Sequence, residues 1–414
     1  MRAGQERVHR SAGATGLSLR HRLVTATAVS SVGDGLVLVA LPLLALRSTT
    51  SALLVSGLLV AARLPWLVVG LPGGALVDRV DRRRLVGVVD VGRAAVVAAV
   101  AAGALVTVLP IEVLYGAAFL VGAGETLVST AVRASVPLVG AEHDVVETNG
   151  RVNAARTAGS RFAGPGLGGL VFAVAASLPF AGDAASYLVS ATILGTALPR
   201  GQQVADRPST ALRADIATGL RWFAGNPALR VLAGLVTSFA FCQAMVMAVL
   251  VLYATEDLHL GATGYGLLLA VASVGDIGAS LLARRIHHRL GAYATVVVAG
   301  ALAAAGYLFL SSTATAYLAA VALALEAAAT SLGNVATLSV RHRVIPGDRF
   351  GLVNNAFRMP VTGCIPLGAL AGGALATVIG FHQTFLVAGL VQLAVLGALA
   401  RPLRRVGAEP PASR

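Results

Sequence analysis

Aliphatic residues in this chain fall in blocks of about 20 separated by short polar stretches. A helix needs that length to cross roughly 30 Å of hydrocarbon at about 1.5 Å per residue. Of 414 residues, 56% are hydrophobic and 12% charged, against roughly 25% charged in an average soluble domain. A water-soluble fold is therefore close to excluded. The blocks predict an all-α membrane protein with spans near 23–46, 52–76, 85–109, 111–132, 152–176, 180–198, 229–253, 262–283, 293–311, 315–338, 351–377 and 381–400. The 47 glycines and many alanines let such helices approach closely, as a bundle held by small-residue contacts requires.

A net charge of +13 would suggest nucleic acid in a soluble protein. Here the basic residues are all arginine, and their places argue otherwise. They gather at Arg2 to Arg22, Arg79 to Arg84, Arg207 to Arg221, Arg284 to Arg289, Arg341 to Arg349 and Arg404 to Arg405, while the intervening loops hold Arg47 and little else basic. By the positive-inside rule both termini and the central linker are expected in the cytoplasm, which independently demands an even number of spans. Without lysine there is no Walker A phosphate loop and no lysine Schiff base. Cys242 and Cys364 each sit in an apolar block and suggest neither a disulfide nor a thiolate metal site. The apolar run after the basic N-terminus is too long for a signal peptide and reads as a retained first helix.

The expected organisation is a cytoplasmic segment at 1–22, a six-helix bundle at 23–199, a cytoplasmic linker at 200–228, a second six-helix bundle at 229–400 and a tail at 401–414. Within the linker, Leu212, Ile216, Leu220 and Phe223 recur at helical spacing between Arg213, Asp215 and Arg221, and Trp222 suits a helix lying at a membrane surface. The halves echo each other. Gly57-Leu58-Leu59-Val60-Ala61 matches Gly266-Leu267-Leu268-Leu269-Ala270, and Val152-Asn153 with Pro165 matches Val353-Asn354 with Pro366.

The sharpest local motif runs from Gly74 through Asp78, Arg79, Asp81, Arg82 and Arg83 to Arg84, in the loop after the second span. It resembles the signature loop of the major facilitator superfamily, G-x-x-x-D-R-x-G-R-R, with Asp81 in place of the second glycine. Physically, the glycines permit close backbone approach, Asp78 can accept hydrogen bonds from a helix N-terminus, and the arginines meet anionic lipid, so the loop is expected to act as a cytoplasmic gate latch. An ordinary positive-inside loop is the plainer reading. In the fifth span, Gly164-Pro165-Gly166 with Gly168 and Gly169 is similar to the glycine-proline motif of the superfamily's exporters, and is expected to serve as a hinge. A dinucleotide-binding G-x-G-x-x-G is rejected there, since no strand precedes it. Val32-Gly33-Asp34, Ala40 to Leu44, Gly122 to Thr126, Gly219 to Arg221 and Asn226-Pro227 extend the resemblance to the drug-exporting branch that includes macrolide-efflux and siderophore-export proteins.

The resemblance implies two pseudo-symmetric six-helix bundles in a bacterial inner membrane, a small-molecule substrate and protons as the coupling ion. Asp34, Glu125, Gln243 and Glu326 fall near the middles of the first, fourth, seventh and tenth spans, helices that line the central cavity in that superfamily. An ionisable group at that depth costs at least about 2.5 to 3.5 kcal/mol and needs a partner or water. Proton coupling and attraction of cationic substrates are one reading; fixed ion pairs with Arg63, Arg156, Arg161 or Arg358 are the other. The fourth-span arginine of many proton antiporters is missing, Ala118 standing near its place. Asp90 and Arg93, three residues apart, read as a structural intrahelical pair.

His143, His259, His287, His288, His342 and His382 read as solvated polar residues without zinc spacing. No cofactor, metal, nucleic acid or enzymatic constellation is expected, and the expected oligomeric state is a monomer. The function so implied is proton-coupled efflux of small amphiphilic molecules. A metabolite importer or symporter of the same fold and a non-transporting membrane sensor are the alternatives.

Overall fold

The computed structural model describes residues 2–139, 142–198 and 209–408. Fourteen helices account for nearly all of them, and no strand occurs among the described residues. They are α1 (Arg2–Ala45), α2 (Ala52–Val68), α3 (Gly70–Arg79), α4 (Arg82–Val106), α5 (Ile111–Ser135), α6 (Glu142–Thr157), α7 (Gly164–Val174), α8 (Leu178–Ala197), α9 (Ser209–Gly225), α10 (Pro227–Leu252), α11 (Ala262–Ser311), α12 (Ala316–Val344), α13 (Phe350–Ile379) and α14 (Phe381–Ala408).

These helices make twelve crossings once α9 is assigned to the linker and the breaks are understood. Pro72, the third residue of α3, brings no N–H to the Val68 carbonyl that ends α2, and the span is broken there into two short helices. A π-helical turn, Ala158–Ala163, links α6 to α7 and accommodates Pro165, which likewise lacks a donor. α11 is two helices meeting at Gly291, whose φ of +77° only glycine adopts at little cost. Eight helices are individually long and apolar enough to cross a membrane. The fold is that of an all-α membrane protein with twelve transmembrane helices.

The chain forms two compact units, and neither is a continuous stretch. The first comprises Met1–Ser48 and Ala61–Asp206 and is completed by Ala262–Leu267; the second comprises Arg207–Gly261 and Leu268–Arg414 and is completed by Thr49–Val60. Glycine makes the equivalent crossings in both. In the first unit a side chain at Gly164 would meet the Gly35 Cα at 2.5 Å, one at Gly168 the Leu36 carbonyl at 2.9 Å, and one at Gly169 the Gly266 Cα at 2.9 Å. In the second, Gly368, Gly372 and Gly373 repeat that spacing and press on the backbone at Phe241, on the Met245 Cα at 2.7 Å and on the Ala52 carbonyl at 2.9 Å. The two units thus repeat a packing pattern, in a register three residues removed from the one that pairs Pro165 with Pro366.

In the linker, α9 packs on α13 through Gly219, whose missing Cβ makes room for the Leu352 carbonyl. Leu212, Arg213, Asp215 and Ile216 carry side chains outside the described residues. Trp222 does not simply face an interface: with Phe223 it packs on Leu229, Ile345 and Val353. Asn226 caps α10 by accepting from the Leu229 N–H at 3.1 Å, with Pro227 at the first helical position.

Candidate functional site

Two of the sequence-predicted carboxylates meet in the first unit because glycines let their helices close on one arginine. Gly33 leaves α1 free to lie against Asp183 and Ser186 of α8. Gly124 leaves space for Arg93 of α4, whose Cγ and Cδ would stand 2.6 Å from a Cβ there. Asp34 and Glu125, each one residue beyond such a glycine, are thereby carried to the same guanidinium.

Arg93 is the hub. Its Nη2 donates to Asp34 Oδ1 at 3.0 Å, Glu125 Oε2 at 3.3 Å and Tyr187 Oη at 2.8 Å, and its Nη1 to Asp90 Oδ1 at 3.3 Å. Its guanidinium also lies over the Tyr187 ring, 3.8 Å from the centroid. Tyr187 Oη donates in turn to Asp34 Oδ1 at 2.6 Å, and Arg156 Nη1 donates to Glu125 Oε1 at 3.0 Å. The hub is graded in depth. The side chains of Arg93 and Asp90 are 2% and 0% exposed, whereas those of Asp34 and Glu125 keep 26% and 27%. Two carboxylates therefore face outward from a buried cation.

The intrahelical pair expected of Asp90 and Arg93 is present, and Arg93 reaches beyond it. It spends its other nitrogen on α1, α5 and α8. Of the arginines weighed as partners for the carboxylates, Arg156 pairs with Glu125. Tyr187 and Asp183 are missed by sequence reasoning; a charge at position 183 inside an apolar block is the available signal.

Gln243 and Glu326 form a separate pair in the second unit. Gln243 of α10 donates to Glu326 Oε1 at 2.7 Å and to Thr330 Oγ1 at 3.3 Å on α12. Glu326 is 4% exposed, so it is far more sheltered than Asp34 or Glu125. The four residues expected around one cavity thus fall as two pairs, one in each unit.

At the signature loop, Gly74 and Asp78 carry the part of the expected latch whose side chains lie outside the described residues. The departure from the family pattern has a physical role. Asp81 caps α4, its Oδ1 accepting from the backbone N–H groups of Arg83 at 2.9 Å and Arg84 at 3.4 Å. Arg82 reaches the Ala134 carbonyl at 2.9 Å, at the C-terminal end of α5, and Arg79 is exposed. Nearby, Arg20 bonds Glu147, which also pairs with Arg151 at 2.7 Å. At the expected hinge, Gly164, Pro165, Gly168 and Gly169 are all buried, and the three glycines make the crossings described above.

His382 departs from the solvated role expected of it: Nε2 lies 2.9 Å from Asp257 Oδ2 and Nδ1 2.9 Å from the Ser311 carbonyl. Among the described residues no group of three His, Cys, Asp or Glu could hold a metal ion.

Residues 19–409 match the family described as transmembrane secretion effector. The chain belongs to this family, within the major facilitator superfamily. Two relatives span almost all of it. A multidrug efflux pump, Tap, from Mycolicibacterium fortuitum is 28% identical over 404 residues, covering 93% of this chain and 95% of its own. An uncharacterised MFS-type transporter, YfiS, from Bacillus subtilis strain 168 is 28% identical over 396 residues, covering 90% of each. Among solved structures, the nucleoside transporter NupG aligns with a TM-score of 0.72 at 13% identity over 92% of this chain and 98% of its own. A bacterial homologue of the lysosomal transporter Spinster, in an inward-facing and unoccupied conformation, aligns with 0.72 at 14% identity, covering 96% and 99%. These similarities to solved structures show the shared fold. Family and fold make this superfamily member a multi-pass membrane transporter rather than an enzyme.

Proposed function

We propose that this transporter expels small amphiphilic molecules from the cell in exchange for protons, by alternating access of its two bundles. One observation carries the coupling: Asp34 and Glu125 share a single buried guanidinium while about a quarter of each side chain, 26% and 27%, stays exposed. A proton arriving on either carboxylate competes with Arg93 for the same oxygen. Its gain is linked to release of contacts that tie α1 and α5 to α4 and α8. A cationic amphiphile competes for the same two carboxylates, so substrate and proton exclude each other, which is the condition for exchange. The 28% identity to a multidrug efflux pump supports the outward direction.

In this reading the bundles expected at 23–199 and 229–400 work by alternating access, the linker at 200–228 and both termini face the cytoplasm of a bacterial inner membrane, and the protein works as a monomer. Asp34, Glu125, Gln243 and Glu326 contact proton or substrate. Gly74, Asp78, Arg79, Arg82 and Arg83 gate the cytoplasmic side, and the Gly164 to Gly169 segment flexes as a hinge.

Everted membrane vesicles, energised so that their lumen is acidic, test direction and coupling together. They should accumulate ethidium, and a protonophore should abolish the accumulation. Uptake confined to right-side-out vesicles would instead establish an importer, and no flux in either orientation, unchanged by Asp34→Asn and Glu125→Gln, would favour a sensor.

A further inference from the structure

Resting on that coupling role, we propose that Asp183 is a third proton-binding carboxyl of the first unit, protonated while Arg93 holds Asp34, and exchanging its proton with Asp34 during the cycle. Asp183 is fully buried on α8. Its Oδ2 has no hydrogen-bond partner, and its Oδ1 accepts from Ser186 Oγ at 3.2 Å. The α1 backbone at Gly33 closes over it, next to Asp34. Ionised, the carboxylate would leave Oδ2 unpartnered in the interior with Oδ1 served only by the hydroxyls of Ser186 and Tyr187, whereas a protonated one is tolerated.

The surrounding charges point the same way. The charged groups facing Asp183 are Asp34 from α1 and Arg93 from α4. Arg93 is already committed to Asp34, Asp90, Glu125 and Tyr187, and makes no ion pair with Asp183. Beyond them, Asp90 faces Arg93 and Glu125 rather than a second cation, and Arg156 from α6 is spent on Glu125. Arg63 of α2, with Arg161 beside it, approaches Glu125 rather than Asp183. Arg93 thus bonds three of the four carboxyl groups in this cluster. Asp183 is the member that receives no bond from it.

Tyr187 supplies the connection. It stands one helical turn after Asp183 on the same face of α8, and its hydroxyl donates to Asp34 Oδ1. In the transfer the O–H bond on Asp183 breaks and its proton passes to the Tyr187 oxygen, as the phenolic proton passes to Asp34 Oδ1. One O–H bond is lost at Asp183, one forms at Asp34, and Tyr187 ends as it began. Arg93, released by a neutral Asp34, then has an ionised Asp183 within its field.

Infrared difference spectroscopy on the full-length protein in neutral-lipid nanodiscs reads this directly. At neutral pH the wild type should show the carbonyl stretch of a protonated carboxyl in an apolar setting. Asp183→Asn should delete that band, and Asp183→Glu should keep it at a shifted frequency, which guards against misfolding of the first variant. A spectrum of Asp183→Asn identical to wild type overturns the assignment. In proteoliposomes, Asp183→Asn should also shift the pH profile of ethidium flux. Loss of the band with an unaltered pH profile overturns the exchange, since the proton would then be fixed. Wild-type protein without proton-driven ethidium flux would refute the coupling reading above, while the infrared band still decides whether Asp183 is protonated.

Discussion

Replacing Arg93 by leucine removes the group on which four others converge. Its side chain is 2% exposed, and Nη1 and Nη2 together bond Asp34, Asp90, Glu125 and Tyr187. Deleting one partner of a buried ion pair typically costs about 3–5 kcal/mol, because the other charge is left in the interior. Asp34 and Glu125 stay partly exposed, and Glu125 keeps Arg156, but Asp90 is sealed. The cost should therefore come mainly through Asp90, and we expect about 3–5 kcal/mol for Arg93→Leu in reversible unfolding by sodium dodecyl sulfate in mixed micelles. Arg93→Lys keeps a charge but not the fork that reaches several helices, and should lose about 1.5–3 kcal/mol, the worth of one charged hydrogen bond. Adding Asp90→Asn to Arg93→Leu should restore about 1–3 kcal/mol, since it removes the stranded acid. An Arg93→Leu protein within about 1 kcal/mol of wild type, or a double variant no better than the single, would refute the hub.

Asp81→Ala should destabilise α4 by about 1 kcal/mol through loss of its cap, while Asp81→Gly, which restores the usual family residue, should cost only a few tenths; unfolding midpoints of the two variants decide. Gly164→Val should cost about 1–3 kcal/mol or more because the atoms it meets, Gly35 Cα at 2.5 Å and Val32 O at 2.7 Å, are backbone, whereas Gly116→Ala, with nothing within 4 Å, should be neutral or stabilising by about 1 kcal/mol in the same assay. The hydrogen bond from Arg20, with the nearby charge of Arg151, holds the Glu147 carboxyl below its ordinary 4.5, so this link strengthens the fold above that pH and fades as pH falls through the lowered value. In Arg20→Ala a carbon-13 titration of Glu147 should move back up, and an unchanged midpoint would exclude Arg20 as the cause.

The helices are legible because hydrocarbon thickness imposes a length, and the apolar blocks obey it. The breaks are less so. Pro72 and the π-helical turn before Pro165 split spans that read as uniform, since hydropathy records where a segment lies and not how its carbonyls are satisfied. Asp34 and Glu125 stand out as acids within apolar runs, and the structure brings them to one arginine. The reach of Arg93 is hidden because spacing along a helix reveals only partners on that helix, whereas its cross-helix bonds depend on Gly124 making room and on α8 presenting Tyr187. Asp81 reads as a defect in a motif when taken alone, and as a cap once α4 is known to begin beside it.

Proton movement during substrate movement tests the central claim most directly. Purified protein is reconstituted in liposomes containing pyranine, and ethidium is added with no imposed gradient. If Asp34 and Glu125 couple the two fluxes, lumenal pH should change as dye crosses in the opposite direction, and the Asp34→Asn, Glu125→Gln protein should lose the pH change. Dye flux in the wild type without any pH change would contradict the account.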